Sequence, residues 1–255
     1  MPRNKEEWKT WGDVFDSFVE KTIQQMMSQG YLDGLVSPLK VGKEANVFIG
    51  MKGEGHVIVK IYRLSTCDFN RMYEYMQGDP RFGRLVKQRR KIIFAWTQRE
   101  YRNLLIAHAN GIRVPVPHAA RNNVLVMDMI GPPAQQLHAQ PPKNPRKFFE
   151  EVIRMMRKLH QARLVHGDLS DYNILIDNEQ PIFIDMGQGT VYENPYAKDR
   201  FERDVRNMAR VMTKFGYPIT DEKLRELIVK DDSKDIMKVT AKKSANKMAK
   251  DSGKE

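Results

Sequence analysis

VHGDLSDYNILID at residues 165–177 reads as a loop that runs into a short apolar strand. A second apolar run, PIFI at residues 181–184, follows and is closed by Asp185, so the two runs predict a β-hairpin. Phosphoryl transfer needs an acid near the attacking oxygen and oxygen ligands for the magnesium on the phosphates. Asp168, Asn173 and Asp185 supply that set. A plain turn rich in Asp and Asn explains the loop by itself, but it does not explain the second strand with its terminal acid.

Two charged side chains fall on otherwise apolar faces. Lys60 lies in the β-branched strand HVIVKIYR at residues 56–63. Glu100 lies on the apolar stripe of a helix expected over residues 88–109. A buried charge is expensive unless it is paired, so we expect a Lys60–Glu100 ion pair, as in protein kinases. There are two alternatives to a buried pair. The strand lies at the edge of its sheet with Lys60 in solvent, or Glu100 lies at the rim of the apolar stripe and contacts water.

Two further stretches occupy the positions of a phosphate loop and a hinge. KVGKEANVFIG at residues 40–50 is a glycine turn that leads into a strand, but only Gly42 stands where a phosphate loop has several glycines. Lys43 either adds positive charge near phosphates or is a solvated turn lysine, and the sequence favours the solvated turn. NVLVMDMIGPP at residues 123–133 is a strand that runs into a Gly-Pro breaker, as expected of a hinge whose backbone meets adenine.

The rest of the chain is organised around these stretches. Residues 7–28 have the apolar periodicity of a helix that packs on its own domain.

Asp204 lies early in a helix expected over residues 199–215. Its side chain either stabilises the helix start or bonds back to the catalytic loop, and the first role is favoured. The expected segments are an N-terminal helical extension at 1–35, a kinase N-lobe at 36–127 with a partly mobile loop at about 64–87, a hinge and C-lobe at 128–230, and a basic, disordered tail at 231–255.

Composition limits the class of protein. With 255 residues and 41% hydrophobic side chains, the chain is long enough for one large domain or two lobes. Its single cysteine, Cys67, excludes an internal disulfide framework and suits a cytoplasmic protein. No apolar run approaches the roughly 18 residues of a membrane span, so no membrane partner is expected. The net charge of +11 either serves solubility or favours a nucleic-acid or ribosome partner, and we expect the partner.

Six short motifs occur in order along the chain. They are GKEANV at 42–47, VKIYR at 59–63, GDPRF at 78–82, YRNL at 101–104, VHGDLS at 165–170 and IDMGQ at 184–188. Together they resemble the RIO family of atypical serine/threonine protein kinases, specifically its first subfamily in archaeal form, and the resemblance covers about residues 36–215. It implies an α+β, compact, bilobal kinase-like fold with a β-rich N-lobe and a helical C-lobe, without the peptide-binding extensions and activation loop of ordinary protein kinases.

The resemblance also implies an ATP site. By position, Lys60 is similar to the lysine that binds the ATP phosphates, with Glu100 as its partner. Asp128 and Ile130 resemble the hinge residues that meet adenine through their backbones. Lys43 is the further candidate for a contact with ATP.

The remaining roles concern phosphoryl transfer. Asp168 resembles the catalytic aspartate, and Asn173 and Asp185 resemble the ligands of Mg²⁺ or Mn²⁺. In the family, the residue matching Asp185 also accepts phosphate, which implies an aspartyl-phosphate intermediate and an ATPase switch as much as a kinase. The family acts in maturation of the small ribosomal subunit, so the implied partners are the pre-ribosomal small subunit and its rRNA.

Two departures from the family pattern and two rival functions remain. Gly167 stands where some relatives have alanine, a difference that the loop should tolerate. RLVKQRRK at residues 84–91 has no hydroxyl where relatives autophosphorylate a serine, although Ser65 and Thr66 lie upstream. A small-molecule phosphotransferase of the aminoglycoside or choline kinase type shares the catalytic loop, and a non-enzymatic RNA or ribosome binding factor with a residual nucleotide site is the second rival.

Overall fold

The computed structural model describes residues 16–83 and 85–230. The beginning of the helix expected over 7–28 and the tail expected over 231–255 lie outside the described residues. Both therefore stay predictions.

A five-stranded antiparallel sheet with the strand order β1-β2-β3-β5-β4 forms the N-lobe. β-branched and apolar residues alternate along these strands, so each strand has one face toward a hydrophobic cluster. In β3 this places Val57, Val59 and Ile61 on the cluster side and Lys60 on the other. The strands are β1 Gly34–Val41, β2 Ala45–Lys52, β3 Gly55–Tyr62, β4 Pro117–Arg121 and β5 Val124–Asp128.

Two helices flank this sheet. α1, Ser17–Ser28, begins at Asp16, whose side chain accepts from the Val19 amide, and its Ile23 and Met26 are buried in the same cluster as β3. The expected packing of this helix on its own domain is thus confirmed for its described part. The long helix that carries Glu100, here α3 because a shorter helix precedes it, spans Arg89–Ala109.

The shorter helix corrects the expectation for residues 64–87. α2 spans Phe69–Met76 and begins at Asp68, whose side chain accepts from the Arg71 amide. Met72 and Met76, four residues apart on one face, are buried against α3 in a hydrophobic cluster separate from the one that contains β3 and α1. The segment is therefore only partly a loop, because a capped turn and two buried methionines hold its middle as a helix.

The C-lobe is helical, with short hairpins on the side that faces the N-lobe. Its core is the largest hydrophobic cluster and includes Phe148, Phe149 and Met208. The expected α+β, two-lobed architecture is confirmed. Its helices are α4 Pro145–Gln161, α5 Ala197–Lys214 and α6 Asp221–Val229, and its strands are β6 Gln135–Gln136, β7 Leu164–Val165, β8 Ile174–Asp177, β9 Gln180–Phe183 and β10 Thr190–Val191. In the part of the chain that the structure describes, none of the helices has the length and apolarity to span a membrane.

Candidate active site

A cleft of about 420 Å³ lies between the two lobes. Its apolar walls come from both sides, with Ile58 and Met127 from the N-lobe and Leu175 from the hairpin β8–β9. Lys60, Asn173 and Asp185 provide polar groups at one end. Apolar walls with a few convergent polar groups are typical of a nucleotide site.

The expected ion pair between strand and helix is confirmed. Lys60 Nζ lies 2.8 Å from Glu100 Oε1, and the two residues are 7% and 0% exposed. The second carboxylate oxygen, Oε2, accepts a short hydrogen bond from the Tyr62 hydroxyl. Sequence reasoning missed Tyr62, although its position two residues after Lys60 puts both side chains on the same face of β3.

Lys60 also contacts Asp185, 2.9 Å from Nζ to Oδ1. Burial alone would lower the pKa of Lys60, but the charges of Asp185 and Glu100 outweigh it and hold that pKa well above its usual value. One ammonium therefore serves two carboxyl groups.

The backbone after β9 aims Asp185 into the cleft. Asp185 has a left-handed conformation, with φ of +60°, which is uncommon for a residue other than glycine. Its side chain is 49% exposed. The turn is fixed from α3, because Asn103 Nδ2 donates to the Met186 carbonyl at 2.7 Å and to the Gly189 carbonyl at 2.9 Å.

Asn103 is itself held by the GDPRF segment. Arg81 Nη1 donates to Asn103 Oδ1 at 2.7 Å, and Arg81 pairs with the buried Asp79 at 2.7 Å. The segment before α3 thus braces the turn that presents Asp185.

Asp168 and Asn173 are brought together by the loop between β7 and β8. Asn173 Nδ2 donates to the Asp168 carbonyl at 2.8 Å, which closes the loop on itself. Gln188 Nε2 donates to Asp168 Oδ2 at 3.0 Å. Gln188 belongs to the turn after Asp185, so this bond connects the two acidic segments.

The structure corrects the favoured role of Asp204. Its carboxylate lies at the base of the catalytic loop, accepting from the Gly167 amide at 2.7 Å and from the Leu169 amide at 3.0 Å. Asp204 is in the second turn of α5 and 3% exposed, so it is too far inside the helix to cap it. Burial raises the pKa of Asp204 to about 6 against these two hydrogen bonds.

Asp185, which lines the cleft, and Asp168, in the loop beside it, have different electrostatic environments. Burial and the nearby charge of Asp185 raise the pKa of Asp168. Desolvation acts in the same direction on Asp185, but the attraction of Lys60 and its hydrogen bond outweigh it and hold the pKa of Asp185 below its usual range. Carboxyls whose pKa values are pushed apart suit different tasks: Asp185 favours the ionised state, and Asp168 binds a proton more readily.

A family model described as the RIO domain matches residues 46–225. The chain belongs to the RIO family. The RIO-type serine/threonine-protein kinase Rio1 of Haloferax volcanii is 36% identical over 237 residues, which are 91% of this chain and 82% of the relative. The protein of the same name from Methanocaldococcus jannaschii is 40% identical over 207 residues, which are 80% of this chain and 71% of the relative. The expected membership in the first subfamily, archaeal type, is confirmed, and the chain is an atypical serine/threonine protein kinase.

Solved structures show the shared fold. The Rio2 kinase–ADP/Mg²⁺–phosphoaspartate complex from Chaetomium thermophilum has a TM-score of 0.63 at 21% sequence identity, over 84% of this chain and 67% of that chain. The Rio2 kinase from the same organism has a TM-score of 0.61 at 19% identity, over 84% of this chain and 68% of that chain. The kinase-like fold expected from the sequence is confirmed.

The hinge residues line the cleft of this RIO kinase as expected. The Ile130 amide forms no hydrogen bond with the described residues, whereas its carbonyl accepts from the Ala134 amide at 2.8 Å. The Asp128 amide donates to Val116 at 2.9 Å, and the Asp128 side chain contacts His118 at 2.7 Å. Ile130 therefore has a backbone donor to offer to a base, and Asp128 would contribute through its carbonyl.

Lys43 is not a cleft residue. It is exposed in the turn between β1 and β2, and its carbonyl accepts from Thr66 Oγ1 at 3.0 Å. Lys40, three residues earlier on β1, lines the cleft instead. β1 brings Lys40 over the cleft, and the turn carries Lys43 beyond its lining. A contact of Lys43 with ATP stays a prediction.

The residues present fit a hard divalent cation. Asn173 uses its Nδ2 within the loop, which leaves Oδ1, and Asp185 Oδ2 remains beside the Oδ1 that contacts Lys60. Carbonyl and carboxylate oxygens suit Mg²⁺. Within residues 16–83 and 85–230, no group of three or more His, Cys, Asp or Glu side chains is placed to hold a metal. A bound Mg²⁺ would therefore complete its shell with phosphate and water oxygens.

Proposed function

We propose that this RIO kinase transfers the γ-phosphate of Mg-ATP to its own Asp185 and to protein, and that it acts as an ATPase switch in maturation of the small ribosomal subunit. The observation that carries the first part is the Asp185 carboxylate. Its side chain is half exposed in the cleft and lies 2.9 Å from Lys60, whose charge helps to hold the pKa of Asp185 below its usual range. A solved relative with the same fold is described as a phosphoaspartate complex with ADP and Mg²⁺, which supports the same chemistry here.

The nucleotide would lie with its base at the hinge and its phosphates at Lys60. The free Ile130 amide would bind adenine, and Ile58 and Met127 would cover its faces. Lys60 is fixed by Glu100, so its remaining donor capacity points along the cleft toward Asp185. Mg²⁺ on Asn173 and Asp185 would neutralise charge on the transferring phosphoryl group.

The chain's own groups then divide the reaction between them. An Asp185 oxygen attacks the γ-phosphorus, the bond from phosphorus to the β–γ bridging oxygen breaks, and ADP leaves with that electron pair. Water hydrolyses the acyl phosphate to return the carboxylate and inorganic phosphate. Asp168, whose raised pKa favours proton uptake, orients the attacking water or substrate hydroxyl and accepts its proton.

Labelling with γ-³²P-ATP tests the covalent route. We expect acid-stable label that hydroxylamine removes, and its loss in Asp185→Ala together with metal-dependent turnover. Asp168→Ala should block chemistry or phosphate release while nucleotide binding persists. Excess chelator should abolish turnover, since Mg²⁺ or Mn²⁺ is required. Label only on serine or threonine, resistant to hydroxylamine, or full activity in chelator would contradict the proposal.

The ribosomal role is supported by the net charge of +11 and the pI near 9.6. Contacts of Lys and Arg with phosphates release counterions, so affinity for small-subunit rRNA should fall steeply as salt rises. A binding titration over several salt concentrations measures this slope. A flat slope, or no binding at low salt, would assign the charge to solubility. The proposed location is the cytoplasm, which suits a single free cysteine, the buried Cys67.

The family match does not favour the rival assignment as a small-molecule phosphotransferase. Relatives matching most of the chain are named serine/threonine-protein kinases. Phosphate from labelled ATP should therefore appear on protein and not on aminoglycosides or choline.

A further inference from the structure

Three arginines surround one tyrosine beside the catalytic loop. The guanidinium carbons of Arg71, Arg200 and Arg203 lie 5.8, 4.4 and 6.0 Å from the centre of the Tyr75 ring. Arg200 Nη2 also donates to the Tyr75 carbonyl at 3.1 Å. The ring stands edge-on to Trp96, with centroids 6.1 Å apart. α2 supplies Arg71 and Tyr75, and α5 supplies the other two arginines, so this arginine cluster joins the two lobes.

The arginine cluster is attached directly to the loop that holds Asp168. Arg203 donates through Nη1 to the Tyr75 hydroxyl at 3.2 Å and through Nη2, by a short bond, to the carbonyl of Gly167. Gly167 precedes Asp168 in the chain. The charges of Arg203 and Arg71 both lower the pKa of Asp168, against the larger effects of burial and Asp185. The cationic groups are thus neighbours of the group that handles the acceptor hydroxyl.

The positive charge of the arginine cluster has no carboxylate partner among the described residues. Among residues 16–83 and 85–230, none of its three arginines forms an ion pair with a carboxylate. The contrast is with Arg81 and Arg99 nearby, which share the buried Asp79 at 2.7 and 3.5 Å. Asp204 lies close by, but its two oxygens already accept backbone amides. Arg71 is exposed at the outer edge of the cluster.

The arginine cluster also lies outside the nucleotide cleft. Residues 71, 200 and 203 do not line that cleft, whose cationic groups are Lys40 and Lys60. An anion bound by the cluster is therefore a different group from the nucleotide phosphates.

We propose that Arg71 and Arg203, positioned by Tyr75 and Arg200, form a specificity site for an acidic side chain next to the phosphoacceptor serine or threonine of a protein substrate. Arg203 is bound to the carbonyl of Gly167, the residue before Asp168, and Arg71 lies against the same tyrosine ring as Arg203. An extended peptide advances about 3.3 Å per residue, so we expect the carboxylate within two to four residues of the acceptor. Guanidinium groups bind carboxylates through paired donors. The inference rests on the role of Asp168 in the proposed function.

A peptide series tests the site in the full-length protein. Serine peptides that differ only in glutamate or glutamine at two to four residues from the acceptor are compared by kcat/KM with Mg-ATP. The wild type should prefer the glutamate peptides by about fivefold, the size expected of an exposed ion pair. The preference should appear in KM rather than kcat and should shrink at high salt. Arg71→Gln should reduce it to about one, and Arg71→Glu should prefer lysine peptides.

Arg210→Gln is the matched control, because Arg210 is an exposed arginine on α5 away from the arginine cluster. It removes the same charge and should keep the wild-type preference. Equal use of both peptides by the wild type, or the same loss in Arg210→Gln, would overturn the inference. So would a loss of RNA binding in Arg71→Gln without a change of peptide preference, which would assign the charge to RNA.

The outcomes separate this inference from the proposed function. Absence of any peptide phosphorylation with intact acyl-phosphate formation would reject the peptide site alone. A charge preference among peptides without hydroxylamine-sensitive label would reject the covalent route and keep the site.

Discussion

Replacing Tyr62 by phenylalanine removes one oxygen atom from the centre of the ion-pair network. The Tyr62 hydroxyl donates to Glu100 Oε2, whereas Oε1 is bound by Lys60. Tyr62 is 2% exposed and Glu100 is 0% exposed. Water therefore has no open path to replace the lost donor, and the phenylalanine ring fills the same space.

The expected cost follows from that geometry. A hydrogen bond to a charged group contributes about 1.5–3 kcal/mol, and an unsatisfied buried acceptor costs a similar amount. Glu100 keeps Lys60, so we expect a loss of about 2 kcal/mol in the free energy of unfolding. In a protein of this size each kcal/mol corresponds to about 2–4 °C in Tm, so Tm should fall by about 4–8 °C. ATP turnover should fall by less than about tenfold, because Lys60 retains both of its carboxylates.

Thermal and urea unfolding of Tyr62→Phe measure this change. Tyr101→Phe is the control, since Tyr101 is half-buried, is adjacent to Glu100, and forms no side-chain hydrogen bond with the described residues. Its free energy of unfolding should change by less than about 0.5 kcal/mol. In a double-mutant cycle with Glu100→Gln, the two changes should couple by about 1 kcal/mol or more. A Tyr62→Phe protein as stable as the control, or fully additive effects, would refute the argument.

Two more predictions concern the buried charges. Lys60→Ala should weaken ATP binding and nearly abolish turnover, and it should destabilise the protein by about 3–5 kcal/mol because Glu100 is left buried without a cation; near-normal turnover with unchanged Tm would exclude the assigned role. The pKa of Asp204 is raised from 3.8 to about 6 on folding, so its stabilising contribution is fully present below about pH 3.8 and is lost as the pH rises through 6. The total pH-dependent contribution of Asp204 to the free energy of unfolding is roughly 3 kcal/mol, and nearly half of it is lost between pH 5 and 7.5. Urea unfolding at these two pH values should show this loss in the wild type and not in Asp204→Asn. The same change of unfolding free energy in both proteins would show that Asp204 does not titrate in this range.

The parts of the site that the sequence reveals are those with a local signal. Asp168, Asn173 and Asp185 follow from fixed spacing around two short strands. Lys60 and Glu100 follow from charge on an apolar face, which limits the solutions to pairing or exposure. Both the spacing and the charge on an apolar face can be recognised without knowing how distant elements pack.

The remaining features depend on contacts between distant elements. The position of Asp204 in the sequence of α5 is compatible with a role at the helix start and with a bond to the catalytic loop. Only the packing of α5 under that loop shows that the second role is the real one. The position of Lys40 in the lining of the cleft depends on where β1 ends, and the ends of strands are the least certain result of sequence reasoning. The meeting of Arg71 with Arg203 requires α2 to exist as a helix against α5, and its charged, glycine-flanked sequence indicated a loop.

The brace from Arg81 through Asn103 to Met186 and Gly189 bears on how this enzyme is controlled. In ordinary protein kinases the stretch after the metal-binding aspartate changes between ordered and disordered forms, and phosphorylation selects between them. Here that stretch is four residues of turn fastened to α3 at two carbonyls. A catalytic centre built this way is ordered without phosphorylation of the stretch after Asp185. We therefore expect its turnover rate to be limited by ATP binding, by access to the face beside Asp168, or by the release of ADP and phosphate.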